Sequence, residues 1–201
     1  MSKDRKRRLV DRAFDKFSRL ALAWENEKGA SFMTAHRRPR RAADVGTWPE
    51  PGVPPLRAAV VMQGPFATDH DFTLETLRLY ARSMPHAQLI LSTWKDTDAS
   101  LLAAARDLGV VVVLSDKPAW AGPFNVNMQI TTAAAGVRRA VDDGAEWVLK
   151  TRTDQRLYAP NALAFLVALV RSFPLAAGGV QKQRVVGVGM GSLRFAPYHL
   201  T

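Results

Sequence analysis

A regular alternation of short apolar runs with longer stretches of helical periodicity constrains the fold more than any other feature of this chain. The runs are rich in β-branched residues and end at polar or turn-forming residues, which predicts buried strands at 58–63, 88–93, 110–115 and 147–151. Apolar residues spaced three and four apart predict helices at 73–83, 99–108, 125–143 and 161–173. Strands joined through helices need crossover connections, so the predicted class is α/β, with a mainly parallel sheet and helices on both faces.

Two expectations go beyond the fold class. In the helix at 125–143, the spacing of Ile130, Ala134, Val137 and Val141 predicts that this apolar stripe faces the sheet. Residues 180–188 predict a further strand, although several glycines surround it.

The positive charge is concentrated near the N-terminus. Residues 1–41 hold 13 Lys and Arg against 5 Asp and Glu, while the whole chain has a formal net charge of +10. Basic residues alternate with apolar ones such as Phe14, Phe17 and Trp24, so a basic amphipathic helix is predicted over 1–28. Prolines and a cluster of arginines predict a linker over 29–55, and an α/β domain is expected over 56–201.

Several classes of protein are excluded by what the sequence lacks. Without cysteine there is neither a disulfide framework nor a thiolate nucleophile. No apolar run reaches the length of about 18 residues that crosses a membrane, and the charged start is unlike a secretory signal, so a cytoplasmic location is expected. The first strand is followed by neither a P-loop nor a dinucleotide-binding glycine motif, and no nucleophile elbow is present.

Candidate site residues follow the predicted strands, because ligands of open parallel sheets bind at the carboxyl ends of the strands. The most informative group is Lys150 to Arg156, which places Asp154 among cations. Asp154 is predicted to bind a divalent cation, Mg²⁺ or Mn²⁺, bridged to a diphosphate, and Arg152 and Lys150 to cover the remaining phosphate charge. The same composition also fits a solvated charged loop.

Other strand ends supply weaker candidates. Asp116 follows the third strand, but Lys117 is its neighbour, so a turn with a local salt bridge is an equal alternative. Asn125, Asn127 and Gln129 at a helix start could donate to a sugar or phosphate, although asparagine there is also an ordinary helix cap. The four histidines show no metal-binding spacing.

Four of these segments together resemble a known family. They are VVMQGP at 60–65, LILSTW at 89–94, NVNMQI at 125–130 and VLKTRTD at 148–154. In order and spacing they are similar to the WavE lipopolysaccharide-synthesis family, whose members are glycosyltransferase-like with a GT-A-type nucleotide-sugar fold. The resemblance implies transfer of a sugar from a nucleotide-sugar donor to a lipopolysaccharide or other surface-polysaccharide acceptor.

The resemblance also implies roles for individual residues. Arg152-Thr153-Asp154 corresponds to the acidic metal and diphosphate motif of GT-A enzymes, with Asp154 as the remaining acid. Arg152 replaces the first acid, which leaves metal dependence open, since a guanidinium can itself neutralise a leaving diphosphate. The residues implied to border the nucleotide or donor sugar are Gln63, Gly64, Pro65, Thr93, Asn127 and Gln129. Met128 stands where family members commonly carry arginine.

The C-terminus and the N-terminal arm complete these expectations. GT-A-type enzymes continue beyond the acidic motif, so a truncated protein with weak nucleotide binding and little activity is expected. Residues 5–24 are expected to contact an anionic membrane surface, or alternatively to pack on the domain. Two other functions are kept as alternatives, a nucleotidyltransferase and a nucleic-acid-binding protein that uses the basic arm.

Overall fold

The computed structural model describes residues 12–13, 16–17, 20, 40–45, 56–159, 161–176, 178 and 180–187. The chain divides into two compact units, Met1–Arg38 and Pro39–Thr201. In the first unit the five described residues are all helical, and Phe17 and Leu20 are exposed. The rest of the helix predicted over 1–28 lies outside the described residues.

The second unit contains an α/β fold built on four parallel strands. The strands are β1 (Ala58–Gln63), β2 (Gln88–Trp94), β3 (Val111–Ser115) and β4 (Trp147–Arg152). The helices are α1 (Phe72–Ser83), α2 (Ala99–Asp107), α3 (Val126–Asp142) and α4 (Ala162–Ser172). These eight elements confirm the strands and helices predicted between residues 58 and 173, and with them the fold class.

The order of the strands is β3-β2-β1-β4. The chain therefore moves outward from β1 to β3 and then returns to add β4 on the other side of β1. On one face, Val60 and Met62 of β1 pack with residues of α1 such as Leu77; on the other, Val61 packs with Ala140 of α3. Because the direction of strand addition reverses between β1 and β4, a crevice is expected at their carboxyl ends.

The side of α3 that faces the sheet differs from the predicted stripe. Thr132, Gly136 and Ala140 are buried against the sheet, whereas Ile130 is 59% and Val141 58% exposed. A Cβ atom on Gly136 would lie 2.4 Å from Val61 Cγ1 and 3.0 Å from Ser92 Cβ. Small residues thus let α3 approach the sheet closely, which corrects the prediction from apolar periodicity alone.

Two segments, one near each end of the described domain, differ from what the sequence pattern predicts. Residues 40–45 were expected to lie in a linker, but Ala42 and Val45 are buried, and the Ala42 amide donates to Glu75 Oε2 at 2.6 Å. These residues therefore belong to the compact unit, which begins before the predicted start at 56. At the other end, residues 180–187 form no strand. Val180 is fully exposed and Val185 is 89% exposed, so neither side chain has the packing that stabilises a strand.

The described residues include no helix that is both long enough and apolar enough to cross a membrane.

Candidate functional site

A cavity of about 500 Å³ lies where the strand order reverses, at the carboxyl ends of β1, β2 and β4 and beside the start of α3. Among the residues predicted for the site, those that line it are Gln63, Gly64, Pro65, Asn125, Gln129, Arg152 and Asp154. The sheet thus brings together side chains up to 91 positions apart in sequence, as expected for the carboxyl edge of a parallel sheet.

Arg152 and Asp154 form a bidentate ion pair within this cavity. Arg152 Nε donates to Asp154 Oδ1 at 2.7 Å, and Arg152 Nη2 donates to Oδ2 at 2.6 Å. The hydrogen bonds from Arg152 lower the pKa of Asp154, and the bond to the carboxylate raises the pKa of Arg152. Both groups are therefore charged at neutral pH, and the guanidinium is held in a fixed orientation.

Lys150 adds a second positive charge to the same strand. Side chains two positions apart on a strand share a face, so Lys150 and Arg152 both lie on the α3 side of β4. Burial and the charge of Arg152 lower the pKa of Lys150, against the opposing effect of Asp154. Lys150 lies beside the cavity rather than among the residues that line it.

Thr153 joins the two loops that form the floor of the cavity. Its amide donates to the Gln63 carbonyl at 3.1 Å, and its hydroxyl donates to the Pro65 carbonyl at 2.6 Å. Its own carbonyl accepts a 3.0 Å hydrogen bond from the Thr73 hydroxyl at the start of α1. Gly64, with φ of 120°, passes so close that an added Cβ would lie 3.0 Å from the Thr153 hydroxyl oxygen. The exits of β1 and β4 are therefore fixed to each other.

Replacing Thr153 by valine should show how much this connection contributes to the stability of the domain. The change removes the hydroxyl at nearly constant volume and leaves the Pro65 carbonyl without its donor, so we expect a loss of about 1–2 kcal/mol in the free energy of unfolding. Urea denaturation followed by circular dichroism measures it. Thr131→Val is the control, since Thr131 bonds only within α3, to the Asn127 carbonyl. Equal stabilities of the two variants would contradict a role for Thr153 in joining the loops.

Gln63 is buried at the end of β1 and is fixed by α3. Its Oε1 lies 2.7 Å from the Thr132 hydroxyl, which also lies 3.1 Å from the Met128 carbonyl. The Nε2 atom of Gln63 makes no hydrogen bond to any residue that the structure describes, and Gln63 lines the cavity. One end of this amide is thus held in place while the other is available to a ligand.

The polar residues at the start of α3 hold the preceding loop in place. Asn127 Nδ2 donates to the Trp120 carbonyl at 3.2 Å, and Gln129 Nε2 approaches the Phe124 carbonyl at 3.5 Å. Asn125 has a left-handed conformation, with φ of 59°, and its side chain does not cap the helix. These amides therefore keep Phe124, which is 84% exposed, at the mouth of the cavity.

Four residues predicted for the site are not among those that line the cavity: Thr93, Asp116, Asn127 and Lys150. Thr93 is buried, with its hydroxyl 3.2 Å from that of Thr97. Asp116 forms an ion pair with Lys95, whose Nζ donates to Asp116 Oδ2 at 2.7 Å. That pair corresponds to the salt-bridge alternative for Asp116, with Lys95 rather than the neighbouring Lys117 as partner.

Arg156, the last cation of the charged segment, is directed into the protein. Its guanidinium lies 4.4 Å from the centroid of the Phe72 ring, and it donates to the Thr76 hydroxyl at 2.8 Å and to the Arg40 carbonyl at 2.7 Å. These contacts attach the segment after β4 to α1 and to residues 40–45. Arg156 is therefore structural.

The cavity also has an apolar wall, and of its residues the strand-end rule predicts Trp94 alone. Trp94, Phe124 and Met128 line it together with Phe66. Trp94 and Met128 belong to the segments that carry the family resemblance, and their position in these motifs could have indicated that they line the cavity. Phe124 follows a turn of glycine and proline, and its sequence gave no sign that it faces a ligand cavity.

Among the described residues that line the cavity, one is an acid. Asp154 supplies a single carboxylate, and both of its oxygens accept hydrogen bonds from Arg152. Across the described part of the chain, no three His, Asp or Glu side chains are grouped so as to hold a metal. A cation bound through the protein alone needs several oxygen ligands, whereas Mg²⁺ at a phosphate site can use one or two carboxylates together with phosphate oxygens and water. The ligand role predicted for Asp154 thus finds no supporting carboxylates here.

The fold and the site define a class: an α/β domain with a cavity at the point where the strand order reverses. The family model described as WavE lipopolysaccharide synthesis matches residues 58–187, well over half of the chain. The chain belongs to this family, and its membership indicates a role in lipopolysaccharide synthesis. No curated protein matches significantly, and neither does any solved structure.

Proposed function

We propose that this protein is a glycosyltransferase that moves a sugar from a nucleoside-diphosphate-sugar donor to a lipopolysaccharide or other surface-polysaccharide acceptor. The observation that carries the proposal is the Arg152 guanidinium, held by Asp154 at the wall of the strand-end cavity. Family membership supports the proposed acceptor class.

Arg152 has the donors that a diphosphate requires. A guanidinium carries five N–H groups, and two of them point to Asp154, so three remain for a ligand. Arginine and phosphate form short, charge-assisted hydrogen bonds, often in pairs. Because Asp154 fixes the guanidinium before the ligand arrives, little ordering is needed on binding.

The two walls of the cavity suit the two parts of a nucleotide sugar. Gln63 and Arg152 offer polar groups to the phosphates or to sugar hydroxyls, and Trp94, Phe124 and Met128 offer apolar surface to a base or to the apolar face of a sugar. A cavity of about 500 Å³ falls in the ordinary range for small-molecule sites.

In the proposed reaction, an acceptor hydroxyl attacks the anomeric carbon of the donor sugar. The bond from that carbon to the diphosphate oxygen breaks, and the nucleoside diphosphate leaves with the bonding electrons. Arg152 stabilises the negative charge that develops on the leaving group, which is where a fixed cation lowers a barrier most effectively. The acceptor proton is released as the new glycosidic bond forms.

A thermal-shift screen with uridine, cytidine, guanosine and adenosine diphosphate sugars tests the proposed function. At least one donor is expected to raise the melting temperature saturably, because a ligand that binds only the folded state stabilises it. If none does, and the protein instead binds DNA with strong salt dependence, the nucleic-acid-binding alternative replaces the proposal.

We also propose that residues 5–24 bind an anionic membrane surface, close to a lipid-linked acceptor. Basic residues supply roughly 1 kcal/mol each near such a surface, and Phe17 and Leu20 are exposed on the helical part that the structure describes. Co-sedimentation with phosphatidylglycerol vesicles should exceed that with phosphatidylcholine vesicles. It should fall when Arg12, Lys16 and Arg19 are changed to glutamate. Binding unaffected by either change would reject this anchor.

A further inference from the structure

We propose that this site binds the donor diphosphate without a divalent cation, with the Arg152 guanidinium supplying the positive charge. The inference rests on the proposed function and specifies how its ligand is held. It follows from three features of the cavity: its oxygen donors, its charges and the rigidity of its floor.

The oxygen atoms best placed to ligate a cation are already bonded to protein groups. Both oxygens of Asp154 accept from Arg152. The Thr153 hydroxyl donates to the Pro65 carbonyl at 2.6 Å, and Gln63 Oε1 lies 2.7 Å from the Thr132 hydroxyl. A metal ion would have to share these oxygens with their present partners, whereas a phosphate can use the free N–H groups of Arg152 at once.

The charges at the end of β4 favour an anion over a cation. Lys150 and Arg152 lie on the same side of this strand, and Asp154 is the single acid in the cavity wall. The three groups together carry a net charge of +1. An incoming Mg²⁺ or Mn²⁺ would be repelled by two cations, whereas a diphosphate would be attracted by them.

The floor of the cavity keeps the guanidinium in place. Thr153 lies between Arg152 and Asp154 and is only 2% exposed. It forms hydrogen bonds with the carbonyls of Gln63 and Pro65 and with the Thr73 hydroxyl. The side chains of Arg152 and Asp154 therefore extend from a backbone that the bonds of Thr153 hold in place. A fixed cation of this kind acts on a developing negative charge without reorganisation, as a bound metal ion would.

Titration calorimetry of the full chain with uridine, cytidine, guanosine and adenosine diphosphates, in EDTA and then in Mn²⁺, tests the inference. We expect at least one nucleotide to bind with the same affinity, within about twofold, in both conditions. Binding that requires Mn²⁺ overturns the cation-free site and leaves the proposed function standing. If none of the nucleotides binds in either condition, the proposed function fails as well.

Arg152→Asp provides a gain-of-function test, since it places a second carboxylate two residues before Asp154. The variant should lose at least tenfold in nucleotide affinity in EDTA, because charge-assisted hydrogen bonds are lost. It should also bind Mn²⁺ alone, seen as a decrease of the free Mn²⁺ signal in electron paramagnetic resonance, whereas the wild type should not. Mn²⁺ binding by the wild type at comparable affinity contradicts the inference.

Two further variants separate this effect from misfolding and from net charge. Arg138→Asp makes the same charge change on the exposed surface of α3 and should leave nucleotide affinity in EDTA unchanged. Arg152→Lys keeps the charge but not the planar fork, and should retain part of the binding in EDTA. If Arg138→Asp weakens binding as much as Arg152→Asp, net charge accounts for the effect and the assignment to Arg152 is wrong.

Discussion

Arg152→Ala should lower the affinity for a nucleoside-diphosphate sugar by about 10- to 100-fold, the range expected when charge-assisted hydrogen bonds to a phosphate are lost. The substitution removes the guanidinium from the cavity wall and leaves the fold intact, because the Asp154 side chain is 51% exposed and regains water. Titration calorimetry with the donor that gives the largest thermal shift measures the change.

Two companion variants show whether this loss is specific. Asp154→Ala removes the carboxylate that orients the guanidinium but keeps the positive charge of Arg152. It should therefore weaken binding less than Arg152→Ala. Arg57→Ala removes another exposed arginine that forms an ion pair, with Glu146, but precedes β1 and so lies at the opposite end of the sheet. Affinity that is equal in wild type and Arg152→Ala would remove Arg152 from the site.

Substitutions at Gly136 should destabilise the domain more than any other small change on α3. In a helix interior, alanine normally stabilises the folded state by about 1 kcal/mol relative to glycine. Here its Cβ would lie 2.4 Å from Val61 Cγ1, on a stiff, fully buried side chain of the central sheet. Overpacking costs typically 1–3 kcal/mol, so we expect a net loss for Gly136→Ala and a loss of about 3 kcal/mol or more for Gly136→Val.

The melting temperature measures this series. A loss of 1 kcal/mol corresponds to about 2–4 °C for a chain of this size. Gly187→Ala is the control, because its Cβ would have no neighbour within 4 Å and no positive φ is required there. Since α3 also carries part of the cavity wall, Gly136→Val should weaken nucleotide binding too. A rise in melting temperature for Gly136→Ala would show that α3 packs less closely than described.

Part of the fold is predictable because its two central strands, β1 and β2, are buried on both faces. All six residues of β1 are buried, and its first five, Ala58 to Met62, form a continuous apolar run. The apolar pattern of α3 predicted the wrong buried side of the helix, and the reason is physical. Helix contact with this sheet requires small residues, and Gly136 and Ala140 carry little weight in a hydrophobic periodicity, whereas the exposed Ile130 and Val141 carry much.

The site was predictable to the extent that it depends on strand ends. Gln63 and Arg152 were predicted because Gln63 ends one predicted strand and Arg152 directly follows another, and the parallel register places them side by side. The functions of Thr153 and Arg156 could not be predicted, since they depend on partners about 80 to 116 residues away, namely Thr73, Pro65 and Arg40. Such contacts cannot be predicted from the residues that neighbour Thr153 and Arg156 in the sequence.

The central claim is that Arg152 contacts the diphosphate of the donor. It is tested most directly by nuclear magnetic resonance of the arginine Nε–Hε groups in ¹⁵N-labelled protein, with the Arg152 signal assigned through Arg152→Lys. On titration with the nucleotide sugar that stabilises the protein, the Arg152 Nε–Hε signal should shift saturably, while that of Arg57 stays in place. A nucleotide sugar that binds and leaves the Arg152 signal unmoved would contradict the claim.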